Sequence, residues 1–342
     1  MVSIRGESIA ASCCASLLAR AGVPFVRQRV SRPKLPAIML SATTQRLLAD
    51  IFPEAELFNG LPQIRRRVVK WGAGSPAVEL PHSAVVVSEQ VLLEGMERAL
   101  LGCLETAGGT ACATMQIVSA RALPEVAEEF QFGARIGTAS AVTLVDGCDA
   151  ETSWVEALPS GWLFLLPNGA QGWLLSVGGP VHLLREESSL ISAQILRVEG
   201  DGQSFPCHPR IADPLCGDGW LACGSAALGF DPLCGDGSGH AAREAILAAA
   251  VVRAAGEGEV RELTAHYRMR LVAGFERHLE VCAQFYRSGA GGPWWDEQIS
   301  ATERGLNWCR KELSAAGEFK YRLEEFSLKR ITRPRMTPPH KG

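Results

Sequence analysis

Several features that define common protein classes are missing from this sequence of 342 residues. No apolar run is long enough to span a bilayer, so we expect no membrane segment. The N-terminal stretch has neither a basic region nor a clean apolar region, so we expect no signal peptide. The net charge of −3 argues against general nucleic-acid binding.

Motifs of metal and hydrolytic sites are missing as well. The 11 cysteines include no CxxC pair, and the 7 histidines show no HxxxH or HExxH spacing. No GxSxG elbow for a nucleophilic serine occurs. We therefore predict no metal site, mostly buried thiols in a reducing cytoplasm, and, for an enzyme, chemistry that belongs to a cofactor.

The chain opens with a pattern typical of a dinucleotide-binding βαβ unit. Its predicted elements are a strand at Met1–Ile4, a helix at Ser8–Ala21 and a strand at Val23–Val26. Gly6, Ser8 and Ala11 stand at the places of the G-x-G-x-x-G fingerprint. Arg29 stands where an acidic residue would bind a ribose. An ordinary βα unit remains the alternative interpretation.

A second glycine-rich stretch lies late in the chain. Trp220–Cys223 predicts a buried strand, and Asp231–Pro232 predicts a turn. Gly235 and Gly237 then precede an alanine-rich helix, for which we predict Ser238 as the N-cap. Such a turn presents backbone N–H groups and the positive end of the helix dipole to an anion. A tight packing joint is the alternative.

The middle of the chain predicts an antiparallel sheet. Strand patterns at Ala139–Val145, Trp154–Leu158, Trp162–Leu166 and Trp173–Val177 are separated by glycine, proline and asparagine turns. Alternation places Trp162, Phe164 and Leu166 on one face. That face is either an apolar wall of a substrate pocket or ordinary sheet core. A basic run, Arg65–Lys70, is expected to form a solvated strand, with a phosphate clamp as the alternative.

These motifs together resemble one protein family. Gly224-Ser225-Ala226-Ala227, Phe230-Asp231-Pro232 and Gly235-x-Gly237 resemble the second flavin-contacting motif of the FAD-dependent monooxygenase superfamily, in its tryptophan-halogenase-like branch. The segment Gly161–Pro167 resembles the GWxWxIP segment of that branch. The resemblance implies an α/β fold, in which a Rossmann-like FAD-binding domain is interleaved with an antiparallel-sheet substrate domain and followed by C-terminal helices.

The resemblance also implies a division of the chain. The FAD-binding domain is expected to combine residues 1–40, 81–128 and 205–258. Residues 41–80 and 129–204 are expected to form the substrate domain, and residues 259–342 a helical segment and tail.

The implied function is that of an FAD-dependent oxidoreductase of the monooxygenase type. Its substrate would be a small aromatic molecule or an aromatic side chain of a peptide or protein, and an external flavin reductant would supply electrons. The implied cofactor-binding residues are Gly6, Ser8, Ala11, Arg29, Gly224, Ser225, Asp231, Pro232, Gly235 and Gly237. Trp162 and Phe164 would line the substrate pocket. No catalytic residue is assigned.

The sequence departs from the family pattern at cofactor contacts, where Ser8, Arg29, Glu89 and Ser225 replace the expected residue types. A catalytically degenerate binding or maturation partner without tightly bound FAD therefore remains the alternative. A third option is another nucleotide, held by arginines at positions 27 and 29. A halogenase is disfavoured, because Lys70 lies several residues beyond the place of the family's catalytic lysine.

Overall fold

The computed structural model of the protein describes residues 1–101, 115–121, 123–124, 126–255 and 259–331. Its strands in chain order are β1 (Val2–Arg5), β2 (Phe25–Gln28), β3 (Ile38–Ser41), β4 (Gln63–Lys70), β5 (Val78–Val87), β6 (Met115–Val118), β7 (Glu128–Gln131), β8 (Ile136–Leu144), β9 (Thr152–Leu158), β10 (Gly161–Asn168), β11 (Gln171–Gly178), β12 (Ile195–Pro206), β13 (Arg210–Asp213), β14 (Cys216–Gly217), β15 (Trp220–Ala222), β16 (Leu228–Gly229), β17 (Tyr321–Glu324) and β18 (Ser327–Arg330). Its helices are α1 (Ile9–Arg20), α2 (Ala42–Ile51), α3 (Glu89–Leu100), α4 (Val181–Glu187), α5 (Gly237–Ala255), α6 (Val260–Arg287) and α7 (Pro293–Ala316).

The first sheet has the order β14-β15-β6-β1-β2, and its central pairings are parallel. Helix α1 joins β1 to β2, as the opening pattern predicts, and it packs against α5. Close packing is possible because α5 presents alanines at this contact, and Ala242 and Ala245 are fully buried. Helix α1 begins directly after the carboxyl end of the parallel strand β1, where α/β folds place their ligands.

The second sheet has the order β12-β8-β11-β10-β9-β4-β5-β3. Strands β8 to β11 pair antiparallel, which confirms the predicted antiparallel sheet, although β8 pairs with β11 rather than with β9. Strand β4 joins β9 in parallel. In β10, Trp162 lies opposite Ala157 and Val177. Strands β3 and β5 also belong to this sheet. The predicted domain boundaries at residues 40 and 80 fall inside these two strands, so the division into domains stays a prediction.

The C-terminal helices connect the two sheets. Helix α6 packs against α5 and α7. Tyr267 on α6 donates a hydrogen bond to the carbonyl of Ala222 in the first sheet, at 2.6 Å. Trp295 on α7 donates from Nε1 to the carbonyl of Leu158 in the second sheet, at 2.9 Å. The predicted α/β class is therefore confirmed. The chain forms a mainly parallel sheet, a mainly antiparallel sheet and C-terminal helices that contact both.

Two local expectations need comment. Helix α5 begins at Gly237, so the prediction of Ser238 as N-cap is wrong; the carbonyl of Asp236 accepts the first helical bond, from His240. The predicted tail beyond residue 331 lies outside the described residues. Within the described ranges, no helix combines the length and apolarity needed to cross a membrane.

Candidate functional site

A cavity of about 490 Å³ lies between the two sheets. We call it the cleft. Its walls come from the start of α1, from β3 and β10, and from the segment that connects β15 to α5. Nine of the sequence-predicted site residues line it: Ser8, Trp162, Phe164, Gly224, Ser225, Asp231, Pro232, Gly235 and Gly237. The fold therefore brings the two glycine-rich stretches and the aromatic face into one space.

The α1 side of the cleft is formed by the first helical turn. Ser8 is the N-cap residue, and its Oγ accepts a hydrogen bond from the Ala11 amide at 3.2 Å. Ile9 and Ala10 also line the cleft. Because the first amides of a helix have no intrahelical partner, this wall favours an anion.

Three predicted site residues lie near this turn but do not line the cleft. Gly6 has φ +128°, and a Cβ there would collide with Ser119, so glycine serves the packing of β1 against the end of β6. Ala11 is fully buried. The Arg29 side chain is 63% exposed and pairs with Glu97 at 3.0 Å. Their predicted roles in cofactor binding stay predictions.

The turn after β15 approaches α1 closely. Gly224 has φ +60°, and a Cβ there would lie 2.8 Å from the Ala10 Cβ, so the close approach requires glycine. Ser225 is exposed toward the cleft, and its carbonyl accepts a hydrogen bond from Arg210 Nη2 at 2.6 Å. Arg210 is buried and pairs with Glu129 at 2.7 Å. A buried cation thus holds the backbone of this turn in place.

Asp231 anchors the next turn from inside the protein. One carboxylate oxygen accepts from the Leu233 amide at 3.0 Å, which caps the short 3-10 turn Pro232–Cys234. The other lies 2.9 Å from Arg135 Nη2 and accepts from the Tyr286 hydroxyl at 2.7 Å. The Arg135 contact lies off the hydrogen-bonding direction, so it acts mainly through charge. Asp231 therefore shapes the cleft rather than offering a free charge to it.

The end of this turn exposes bare backbone. Gly235 has φ +63°, and a Cβ at Gly235 or Gly237 would meet no atom within 4 Å. Both glycines line the cleft, immediately before and at the start of α5. The start of this 19-residue helix adds its positive dipole end to the open space. A flat or anionic ligand edge fits such a surface, whereas a side chain there would occupy the space.

Glu244 is a site residue that the sequence analysis missed. It lies on α5, lines the cleft and is 7% exposed. Its Oε2 accepts from the Gly224 amide at 2.7 Å, and its Oε1 has no partner among the described residues. Burial raises the pKa of this carboxyl to about 8, against the opposing effects of the Gly224 amide and Arg210. The only sign of this site in the sequence is that Glu244 is an acidic residue inside an alanine-rich run.

The departure at Glu89 has a partner that sequence order does not reveal. Glu89 is 3% exposed and lines the cleft, where it pairs with Arg32 and accepts from the Leu35 amide at 2.9 Å. Arg32 also lines the cleft. An arginine from the segment after β2 therefore lies beside Glu89 at the start of α3, and its charge is paired with that carboxylate.

The opposite wall is apolar and aromatic. Trp162, Phe164 and Leu166 share one face of β10 and line the cleft, as the alternation predicted. Trp162 is 1% exposed, and its Nε1 has no hydrogen-bond partner in the part of the chain that the structure describes. This donor and the apolar surface around it suit a planar molecule with a polar edge.

Arg67 adds a cation to this wall. The basic run was expected to be solvated; Arg65 and Arg66 pair with acidic residues at the surface, but Arg67 lines the cleft. Its Nη2 lies 3.1 Å from His82 Nε2, and its Nε is buried without a partner. No carboxylate of the described residues forms an ion pair with it, and burial lowers its pKa.

No family model and no curated protein matches this chain. Solved structures do. The peptidyl tryptophan dihydroxylase QhpG, essential for tryptophylquinone cofactor biogenesis, is 16% identical, with a TM-score of 0.73 over 87% of this chain and 78% of that chain. The myxobacterial chondrochloren halogenase CndH is 17% identical, with a TM-score of 0.72 over 92% of this chain and 89% of that chain.

A variant of HpxO from Klebsiella pneumoniae, solved with FAD, is 13% identical, with a TM-score of 0.62 over 92% of this chain and 98% of that chain. The chain thus has the fold of FAD-dependent monooxygenases and halogenases, which is the fold that its motifs predicted.

Proposed function

We propose that this protein is an FAD-dependent oxidoreductase of the monooxygenase type that acts on an aromatic substrate. The observation that carries the proposal is the cleft itself. It joins the amides at the start of α1, the bare backbone at Gly235 and Gly237, and an aromatic wall in one cavity. The likeness in fold to FAD-dependent enzymes supports the same function.

The charges around the cleft fit a dinucleotide with an anionic diphosphate. Each carboxylate that lines it is compensated: Glu89 pairs with Arg32, Asp231 pairs with Arg135, and Glu244 is largely neutral at pH 7 because its pKa is about 8. The lining therefore does not repel phosphate groups, and two helix starts attract them.

The resemblance to the flavin-contacting motifs, applied to this arrangement, implies which residues would hold each part of FAD. The α1 turn at Ser8 to Ala10 would face the diphosphate, the Gly224–Ser225 turn the sugar-alcohol chain, and Gly235 to Gly237 the ring. When bound, FAD supplies the redox chemistry that activates oxygen. The chain's own contribution is to orient the substrate on the aromatic wall and to keep water away from it.

Two features favour a monooxygenase over a halogenase. Among the described residues, no lysine lines the cleft. Lys70 pairs instead with Glu156 at 3.1 Å and bonds to Ser189 at 2.6 Å. The lysine that the resemblance requires for halogenation thus has no counterpart at this wall.

We infer that the substrate is a small aromatic molecule or an aromatic side chain of a peptide, with electrons from an external flavin reductant. The peptide alternative is supported by the likeness to QhpG, which acts on a peptidyl tryptophan.

The described cysteines are free thiols, which supports the predicted cytoplasmic location.

A flavin titration with two matched variants tests the proposal. Gly235→Val would fill the space at the cleft edge, whereas Gly169→Val carries the same backbone strain in the β10–β11 turn, since both glycines have positive φ and open surroundings. We expect wild type and Gly169→Val to retain FAD absorbance after gel filtration, and Gly235→Val to bind at least about tenfold more weakly.

A wild-type protein that stays colourless in excess FAD contradicts the proposal. That result, together with flavin-independent capture of a stable partner, favours the alternative of a cofactor-free binding or maturation partner. Equal flavin affinity in both variants contradicts the placement of the ring beside Gly235.

A further inference from the structure

Three side chains with metal-ligating atoms meet behind the turn that precedes Gly235. Cys234 ends the short 3-10 turn, and His278 and Cys282 are one helical turn apart on α6. The Sγ atoms of Cys234 and Cys282 are 3.5 Å apart, and Cys282 Sγ is 3.3 Å from His278 Nε2. All three ligand atoms lie within 4.8 Å of one another. The spacing motifs of the sequence missed this group because one ligand comes from a distant turn.

Two of these distances, between the two sulfurs and between Cys282 Sγ and His278 Nε2, are close to the edges of a metal tetrahedron. With Zn–S near 2.3 Å and Zn–N near 2.0–2.1 Å, tetrahedral angles place two sulfurs about 3.8 Å apart and sulfur and nitrogen about 3.6 Å apart. The observed 3.5 Å and 3.3 Å are within about 0.3 Å of these values. The sulfurs are much farther apart than the roughly 2.05 Å of a disulfide bond, so the two cysteines are separate thiols.

The imidazole is in the form that binds a metal. The Asp231 amide donates to His278 Nε2 at 2.9 Å, so Nε2 carries the lone pair and the ring proton belongs to Nδ1. Phe230 packs edge-on against the ring, with centroids 4.8 Å apart, which restrains its orientation. The nitrogen that faces the sulfurs is therefore unprotonated. Its single lone pair is held by the Asp231 amide, so an ion that binds there must replace this hydrogen bond and the amide must turn away.

The fourth position belongs to water or a small ligand. The nearby Asp231 carboxylate is occupied by Arg135, Tyr286 and the Leu233 amide, so it does not complete the set. Cys234 is only partly buried, which leaves a route from solvent. Three protein ligands of sulfur and nitrogen type with one open position suit Zn²⁺ among the common cations.

We propose that Cys234, His278 and Cys282 form a binding site for a thiophilic divalent cation, Zn²⁺. The ion ties the Pro232–Cys234 turn to helix α6. Because Leu233 and Gly235 on either side of Cys234 line the cleft, the ion fixes one edge of the cleft from behind. The site does not depend on the FAD proposal, and its test uses no flavin.

Cobalt titration provides the test. The flavin-free protein is reduced, treated with a chelator, desalted and titrated with Co²⁺, and then with Zn²⁺. We expect one Co²⁺ per chain, with a thiolate-to-cobalt charge-transfer band and tetrahedral d–d bands, both lost when Zn²⁺ displaces the cobalt. Cys282→Ser should weaken binding by about a hundredfold or more, whereas Cys309→Ser, a buried cysteine on α7, should bind like wild type.

The wild-type measurement decides the proposal even if the Cys282→Ser variant fails to fold. Absence of a charge-transfer band in reduced, folded wild-type protein overturns it, and so does a band that Cys282→Ser leaves unchanged. A Cys234–Cys282 disulfide accompanied by no cobalt binding after reduction also overturns it, since the two thiols would then form a redox pair.

Discussion

Replacing Glu244 by glutamine should change the pH dependence of stability in a defined direction. Burial raises the pKa of this carboxyl from 4.5 to about 8, so the folded protein holds a proton that the unfolded chain releases. The free energy of unfolding therefore falls as pH rises from about 4.5 to about 8. Glutamine has no such titration, and its amide oxygen can still accept from the Gly224 amide.

The magnitude follows from the two pKa values. Each pH unit inside the window changes the stability by about 1.4 kcal/mol, so the two ends differ by roughly 4–5 kcal/mol. Compared with its value below pH 4, the stability of the glutamine variant relative to wild type should rise by about 1 kcal/mol near pH 5 and by about 3 kcal/mol at pH 7. The sign is that of a carboxyl whose charged form is penalised by burial.

Urea unfolding of flavin-free protein across this pH range provides the assay, and the difference between variant and wild type at each pH is the quantity compared. Glu129→Gln serves as the control. Burial alone would raise the pKa of Glu129, but Arg210 and Arg121 lower it overall. Its removal should destabilise the protein at neutral pH, with an effect that disappears as pH falls. A difference between Glu244→Gln and wild type that is constant with pH, or that turns against the variant as pH rises toward 8, refutes the reasoning.

Two further substitutions have expected outcomes. Asp231→Asn leaves Arg135 buried without its counter-charge and should lower the free energy of unfolding, measured by urea denaturation, by about 3–5 kcal/mol. Tyr286→Phe removes one hydrogen bond to the same carboxylate and should lower it by only about 1 kcal/mol. Equal effects of the two substitutions would contradict the importance of the ion pair. Arg67→Met should not lower stability, since no acidic partner is lost, but it should weaken indole-3-acetate binding at least tenfold while indole binding stays unchanged, as measured by equilibrium dialysis. Unchanged affinity for the acid would exclude Arg67 as a substrate contact.

The local elements could be predicted because their signals are short-range. Helix α1 follows the predicted helix at Ser8–Ala21 to within one residue at each end. The placement of Trp162, Phe164 and Leu166 on one face followed from alternation alone, because successive side chains of a strand point to opposite sides. The error at Ser238 concerns a helix boundary, where several adjacent residues can supply the cap.

The charge pattern of the cleft could not be predicted in the same way. Arg32 stands beside Glu89, Arg135 beside Asp231, and Arg210 beside the Ser225 carbonyl, although each pair is separated in the chain. The sequence did not connect the departure at Glu89 with Arg32, because the two positions are 57 residues apart in the chain. Glu244 looked like an ordinary charge on a helix until its burial was known.

The sequence by itself determined the order of strands and helices, the glycine turns and the aromatic face of β10, because hydrophobic periodicity and backbone freedom are encoded within a few neighbouring residues. Only the tertiary structure decided which charges are paired, which carboxyl is neutral, and which thiols and imidazole meet behind Gly235. These properties depend on burial and on distances between residues far apart in the chain, and both arise only when the two sheets and the C-terminal helices pack together.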